Sequence, residues 1–190
     1  MFRKILFTCL LVAPGLVMAN ELSQEQLEDL LEVKIRFARH MAFNPSVVRA
    51  VESQNSEQLA LAEIKRRDDE WKNAGDNLTP LMREITGNSV ARYFERRVEN
   101  NDAIDEVFLT DNQGANVAAF PPTSDYWQGD EEKWTASYNH GNGVVFIGPL
   151  EFDDSTQKTQ VQISAPIYSR DRTVGVLVLG VNVDYVKQQQ

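Results

Sequence analysis

The spacing of the apolar residues changes once along this chain, near residue 103, and this change constrains the fold more than any other feature. Before it, apolar residues recur every three or four positions, as Leu27, Leu31 and Ile35 do, which is typical of amphipathic helices. After it, apolar and polar residues alternate, which is typical of strands. Helices first and strands second predict an α+β fold.

The helical half contains several signals for helix starts. Asn44 and Thr79 are each followed by proline, and a capping side chain before proline favours the start of a helix. Ser56 is expected to cap a further helix that runs to Trp71. Positions 65 to 70 are all charged, and the simplest interpretation of such a run is a solvated helix face.

The second half predicts a mostly antiparallel sheet of about five strands. The first two form a hairpin, "IDEVFLTDNQGANVAAF", whose turn begins at Asp111 and ends at Gly114. A short helix is expected between Asp130 and Tyr138, and "GNGVVFIGPL" follows as the third strand.

The last two strands are expected to form a hairpin as well. "TVGVLVLGVNV" is apolar on both faces, which predicts a central strand covered on both sides. "TQVQISAPI" alternates strictly, so Gln160, Gln162 and Ser164 share one face of the predicted sheet.

The first 19 residues are expected to lie outside this fold. Arg3 and Lys4 precede the apolar run 5–17, and a small-residue site ends at Ala19. This pattern predicts a signal peptide that is cleaved after Ala19, and the alternative is an uncleaved anchor. Cleavage would remove Cys9, the one cysteine of the chain, and would place the protein in the periplasm.

Charge and motifs argue against several classes of function. The net charge is −9, and it becomes −11 once the two basic residues of the first segment are removed. Such a protein repels phosphate backbones, so no nucleic acid is expected as a partner. His40 and His140 are far apart and no catalytic motif is present, so no enzyme activity, cofactor or metal is predicted. The segments "DNQGAN" and "EFDDST" each offer oxygen ligands for calcium, but neither has the spaced carboxylates of a calcium loop, and both are interpreted as turns.

The segment "TSDYWQGDEEKW" contains two of the three tryptophans and belongs to what we call the aromatic loop, residues 125–138. Two interpretations are open for Tyr126, Trp127 and Trp134. They either anchor the loop in the core or form the wall of a ligand pocket between the loop and the sheet. The polar face of "TQVQISAPI" favours the pocket.

The order of these elements resembles the Cache family, also called PDC sensor domains, which are PAS-like extracytoplasmic domains of bacterial receptors and kinases. The resemblance covers residues 56–186 and rests on "DDEW", "VFLTDNQGANVAA", the aromatic loop and "VQISAPIYSRDRTVGVLVLGVNV". A helical region, 20–55, precedes this domain and a tail, 187–190, follows it. The chain ends shortly after the last strand, so a stand-alone single Cache domain is expected.

The resemblance implies one small-molecule pocket between the sheet and the aromatic loop, and a long N-terminal helix that makes a dimer contact. By their position in such a fold, the expected ligand-binding residues are Asp125, Tyr126, Trp127, Lys133, Trp134, Tyr138, Phe146, Gln162 and Ser164. Lys133 is the one basic residue among them. A cationic, zwitterionic or neutral ligand, such as an amine or an amino acid, is therefore expected rather than a dicarboxylate, which arginine would suit better.

The predicted function is that of a periplasmic sensor, which recognises a small organic molecule and signals through a membrane-bound receptor or kinase. The alternative is a structural or interaction module that binds no ligand and acts through its acidic helical half. An enzyme is the third choice and would require two carboxylates that converge in the pocket.

Overall fold

The computed structural model describes residues 23–75, 77–153 and 158–189, so the expected signal peptide lies outside the described residues. The helices are α1 (Gln24–Ala42), α2 (Pro45–Glu57), α3 (Leu61–Lys72), α4 (Pro80–Gly87), α5 (Ser89–Glu99), α6 (Glu132–Tyr138) and α7 (Val183–Gln188). The strands are β1 (Ile104–Thr110), β2 (Asn116–Phe120), β3 (Phe146–Ile147), β4 (Glu151–Asp153), β5 (Lys158–Ser169) and β6 (Arg172–Asn182). The predicted α+β class is confirmed.

The sheet is antiparallel, with the order β2-β1-β6-β5-β3, and β4 pairs with β5 next to β3. Strand β6 lies between β1 and β5 and is buried along nearly its whole length. The predicted central strand and the predicted β5–β6 hairpin are therefore confirmed. The β1–β2 hairpin is also present, and its turn is closed by the bond from Gly114 N–H to the Asp111 carbonyl at 3.2 Å.

Helices cover both faces of the sheet. On one face, α1, α2, α5 and α7 pack on the larger apolar core, whose strand residues include Val107, Ile163 and Leu179. On the other face, α3, α4 and the aromatic loop pack on a smaller core that includes Phe108 and Val178. The candidate site lies on this second face, which we call the loop face.

Two of the three expected helix caps are present in the structure, and the third is not. The Asn44 and Thr79 side chains accept hydrogen bonds from Ser46 N–H at 2.9 Å and from Met82 N–H at 3.1 Å. Ser56 is no cap, and that prediction was wrong. It lies in the last turn of α2, where its hydroxyl donates to the Ser53 carbonyl at 2.6 Å.

The sheet has a sixth strand that the sequence analysis did not predict. The third strand is short, and after Gly148-Pro149 the chain pairs with β5 again as β4. Proline has no N–H for the ladder, which accounts for the interruption. The expected tail also begins inside a helix, α7, whose start is capped by Asn182. Among the described helices, none has the length and the apolar character that crossing a membrane requires.

Candidate functional site

Helix α3 anchors the beginning of the aromatic loop through one buried carboxylate. Asp68 Oδ1 accepts the backbone N–H of Tyr126 at 2.9 Å and that of Trp127 at 3.0 Å. Its other oxygen lies 2.6 Å from Lys72 Nζ. Expecting the whole 65–70 run to be solvated was therefore wrong for Asp68, which is buried. The spacing of the sequence could have predicted this burial, because Asp68 is four residues after the buried Ile64 and shares its helix face.

Both tryptophans of the aromatic loop bind the turn between β1 and β2. Trp127 Nε1–H donates to the Gln113 carbonyl at 2.8 Å, and Trp134 Nε1–H donates to the Asp111 carbonyl at 3.3 Å. The loop backbone also approaches this turn closely, since a Cβ on Gly114 would lie 2.4 Å from the Cα of Gly129. Each indole thus fastens the loop to the turn.

Asp125 and Tyr126, at the beginning of the aromatic loop, are also held by contacts within the protein. The Asp125 carboxylate accepts hydrogen bonds from the Gln128 amide and from the Ser124 hydroxyl, and it lies 3.8 Å from Lys72 Nζ. Tyr126 is 1% exposed, and its ring centroid is 6.0 Å from that of Trp71. Burial raises the pKa of Tyr126 to about 12.

The second part of the aromatic loop, which includes α6, lies over strands β3, β5 and β6. Lys133 points inward. Its side chain is 17% exposed, and its Nζ lies 2.7 Å from the Glu131 carboxylate and 5.5 Å from the centre of the Phe108 ring. Trp134 and Tyr138 stack with their ring centroids 4.7 Å apart. This part therefore brings a cation and two aromatic rings to the loop face.

Two carboxyl groups in this region have a raised pKa. Burial raises the pKa of Glu131, and the Asp125 carboxylate reinforces the shift, while the ion pair with Lys133 opposes it. Burial also raises the pKa of Asp111, although hydrogen bonds from Gln54 and from the turn backbone oppose this shift. The ion pair with Lys133 is therefore what favours the charged form of the Glu131 carboxyl group.

Among the predicted ligand-binding residues, Ser164 stands out because its hydroxyl is buried without a hydrogen-bond partner. It is 0% exposed and stands on β5 between Phe146 of β3 and Val178 of β6. Its Oγ has no hydrogen-bond partner. A buried hydroxyl without a partner costs about 1–3 kcal/mol, so this position is unfavourable unless something else binds it.

Gln162 and Phe146 line two separate hollows. Gln162 contributes to a recess of about 320 Å³ beside β4, and its Nε2 donates to Glu106 Oε1 at 2.8 Å. Phe146 contributes to a groove of about 470 Å³ against α1. The aromatic residues of the loop line neither of them. In the part of the chain that the structure describes, no three His, Cys, Asp or Glu side chains are grouped so that they could hold a metal ion.

The nine predicted residues thus form two groups. Asp125, Tyr126 and Trp127 lie where the loop is fastened to α3 and to the turn, whereas the other six lie on α6 or on the sheet beneath and beside it. Sequence reasoning missed Glu106, Phe108 and Glu131. The alternation of β1 could have indicated the first two, because Glu106 and Phe108 lie two residues apart and share a face.

No family model matches the chain, and no curated protein sequence matches it significantly. Several solved structures align with most of it. One is the sensory domain of the Campylobacter jejuni chemoreceptor Tlp3 with isoleucine bound, at 15% identity and a TM-score of 0.40 over 87% of this chain and 66% of that one. Another is the ligand-binding domain of the Pseudomonas aeruginosa amino acid chemoreceptor PctC in complex with GABA, at 10% identity and a TM-score of 0.43 over 83% of this chain and 64% of that one.

A third is the extracellular domain of rpHK1S-Z16, designated a histidine kinase, at 12% identity and a TM-score of 0.42 over 84% of this chain and 61% of that one. The chain therefore spans less than two thirds of the length of these chains. The first two are a sensory domain and a ligand-binding domain of chemoreceptors, and the third is an extracellular domain.

Proposed function

We propose that this protein is a periplasmic sensor that binds a small organic molecule between α6 and the loop face of the sheet. The observation that carries the proposal is the buried Ser164 hydroxyl, which has no partner within the protein. A ligand group that hydrogen-bonds this hydroxyl would remove the cost of leaving it unpaired.

The residues around Ser164 suit a small polar ligand with an apolar part. Phe108 and Phe146 offer ring surface, while Lys133 and Glu131 offer one charge of each sign. Such a combination of apolar walls and few polar groups is typical of ligand sites. An amine, an amino acid or another small metabolite fits this chemistry.

The two-part anchoring of the aromatic loop supports a signalling mechanism. Its first part is fixed by Asp68, whereas α6 packs on β3, β5 and β6. Helix α1 contacts β5 and β6 from the opposite face. A ligand that binds beneath α6 would shift the position of α6. The strands between the two helices would transmit this shift to α1. The ligand can do so only to the extent that it binds one arrangement more tightly than the other. We propose that a membrane-bound receptor or kinase detects this change, with a dimer contact through α1.

The test is a calorimetric and thermal-shift screen of the protein against amino acids, amines, small carboxylates and sugars. A ligand at one hundred times its Kd adds about 2.7 kcal/mol to stability. Ser164→Ala is expected to weaken binding of the hit at least tenfold.

The matched control is Ser137→Ala, since Ser137 is equally buried but its hydroxyl is already bonded to the Val144 carbonyl at 2.8 Å. This variant is expected to bind normally. A well-folded protein that responds to no compound would contradict the proposal and favour the module without a ligand. A compound that binds Ser164→Ala as tightly as the unmodified protein would show that its binding site does not include Ser164.

A further inference from the structure

Helices α1 and α7 leave a recess between them, on the face of the sheet opposite the loop face. Its volume is about 230 Å³, and we call it the α1–α7 recess. Most of its lining is apolar or aromatic and comes from Leu30, Val33, Ala103, Tyr185 and Val186. Among the described residues that line it, Lys34 is the only charged one.

Apolar surface continues from the wall of the recess to its rim. Ala103 and Val186 are buried, whereas Val33 is 62% exposed. A single exposed apolar residue is common on protein surfaces, but this one continues into a concave apolar wall. Such a wall with few polar groups is typical of small-molecule sites.

The ammonium group of Lys34 lies at this recess. Lys34 Nζ donates to Asn101 Oδ1 at 3.3 Å, and the same oxygen accepts the backbone N–H of Ala103 at 3.2 Å. The shared acceptor places the ammonium beside Ala103, which lines the recess. An ammonium has three N–H donors, and Asn101 takes one of them, so donors remain for a ligand.

No carboxylate of the described residues forms an ion pair with Lys34. Two acidic residues adjoin the lining in the sequence, but neither compensates this charge. Asp184 of α7 accepts the Thr159 N–H at 2.7 Å instead, and Asp102 is exposed. Burial lowers the pKa of Lys34, because an ammonium that is partly removed from water and has no counter-ion is disfavoured.

The charge and the size of the recess indicate the ligand. One ammonium balances one negative charge, so a monocarboxylate suits it better than a phosphate, whose second charge would stay unpaired. A volume of about 230 Å³ holds about seven or eight groups of the size of a water molecule, at about 30 Å³ each. Hexanoate, with six carbons and two oxygens, is of this size.

We propose that the α1–α7 recess is a separate binding site for a short aliphatic monocarboxylate. The carboxylate accepts hydrogen bonds from Lys34 Nζ and supplies the anion that the protein does not, while the aliphatic chain lies on Leu30, Val33 and Val186. The site goes beyond the proposed function, because it lies on the other side of the sheet from Ser164.

The test is isothermal titration calorimetry of the protein with hexanoate, with hexanamide as the uncharged compound of equal length and with acetate as the compound without the chain. Hexanoate is expected to bind at least tenfold more tightly than either. Lys34→Met keeps an unbranched apolar stem but removes the charge, and it is expected to reduce hexanoate affinity at least tenfold. The matched control is Lys187→Met, which removes an exposed lysine from α7 and is expected to leave the affinity unchanged.

A second variant keeps the test valid if Lys34→Met impairs folding. Val33 is exposed, so Val33→Glu adds a carboxylate to the rim at little cost to the core, and it is also expected to reduce hexanoate affinity at least tenfold. Absence of hexanoate binding, equal affinity for hexanoate and hexanamide, or unchanged binding in both variants would overturn the proposal.

Sedimentation velocity distinguishes a ligand from a second copy of the chain as the occupant of the recess. A dimer that Val33→Glu dissociates and that hexanoate leaves intact would assign the recess to the second copy and overturn the proposal. Ser164→Ala is expected to bind hexanoate normally. Loss of hexanoate binding in Ser164→Ala, with full binding in Lys34→Met, would assign hexanoate to the Ser164 site and overturn the inference.

Discussion

The two parts of the aromatic loop contain similar residues but differ in how they are held against the rest of the protein. In the first part, the backbone N–H groups of Tyr126 and Trp127 and the carboxylate of Asp125 all have partners within the protein. In the second part, α6 holds Lys133 over a ring and covers strands among which the hydroxyl of Ser164 has no partner. The backbone at the start of the loop is held within the protein, although the buried Gln128 Oε1 there also has no partner. The unpaired Ser164 hydroxyl, on the strands that α6 covers, indicates a place where a ligand can complete the structure.

The largest expected effect lies in the paired part. Asp68→Ala removes the acceptor of two backbone N–H groups and the partner of Lys72, and it should lower the free energy of unfolding by about 3 kcal/mol. Urea denaturation measures this change. The matched control is Asp69→Ala, because Asp69 is exposed on the same helix, and it should change stability by less than about 0.5 kcal/mol. Equal effects of the two variants would show that α3 does not anchor the loop.

High pH tests the same part through Tyr126. Below pH 10 the phenol is neutral in both states, but above it the unfolded chain ionises first, because burial raises the pKa of Tyr126 to about 12 in the folded protein. Stability is therefore lost as the pH rises from 10 to 12, and by about 2 kcal/mol at a pH of about 11.5. Tyr126→Phe should remove this part of the loss. The measurement is the free energy of unfolding of both proteins at pH 9 and at about pH 11.5. An equal decrease in the two proteins would contradict a buried Tyr126 phenol.

Ser164 should respond in the opposite sense to an ordinary buried serine. Ser164→Ala removes a hydroxyl without a partner and should raise the free energy of unfolding of the ligand-free protein by about 1 kcal/mol. Ser137→Ala breaks a bond to the Val144 carbonyl and should lower it by about 1 kcal/mol. Thermal or urea denaturation distinguishes the two. If both variants lose stability, the Ser164 hydroxyl is not an unpaired group in the folded protein.

The smallest effects are expected for the indole N–H groups. Trp127→Phe keeps an aromatic ring but loses the bond to the Gln113 carbonyl, and it should cost about 1 kcal/mol. Trp134→Phe should cost about half as much, because its bond to the Asp111 carbonyl is longer, at 3.3 Å. A larger loss for Trp134→Phe, measured by urea denaturation, would mean that α6 is the better anchored part.

The sequence predicted the parts of the fold that depend on periodicity. Alternation in β5 placed Gln162 and Ser164 on one face, and the uninterrupted apolar run of β6 marked the central strand. Turn and cap residues predicted the hairpins and two helix starts. Strand β4 was missed because its three residues are too few for a period, and the pairing depends on β5.

The candidate site was less predictable, because its chemistry depends on contacts between distant residues. Asp68 looks like its charged neighbours in the sequence, and its role follows from a loop that begins more than fifty residues later. Glu106 reaches Gln162 because Gly180 of a third strand leaves the path open. Local spacing indicates the faces on which Asp68 and Glu106 lie, but their partners are revealed only by the arrangement of the strands and the loop.

The bonds of the tryptophans have a consequence for how this protein can be observed. All three tryptophans of the chain donate their indole N–H to backbone carbonyls beside the aromatic loop: Trp71 to Thr123, just before the loop, and Trp127 and Trp134 to the neighbouring turn. The tryptophan fluorescence of the whole chain therefore originates in or next to this loop. A displacement of α6 would change the emission of Trp134 while Trp71 stays constant, so single-tryptophan variants would follow the motion of each part without an attached dye.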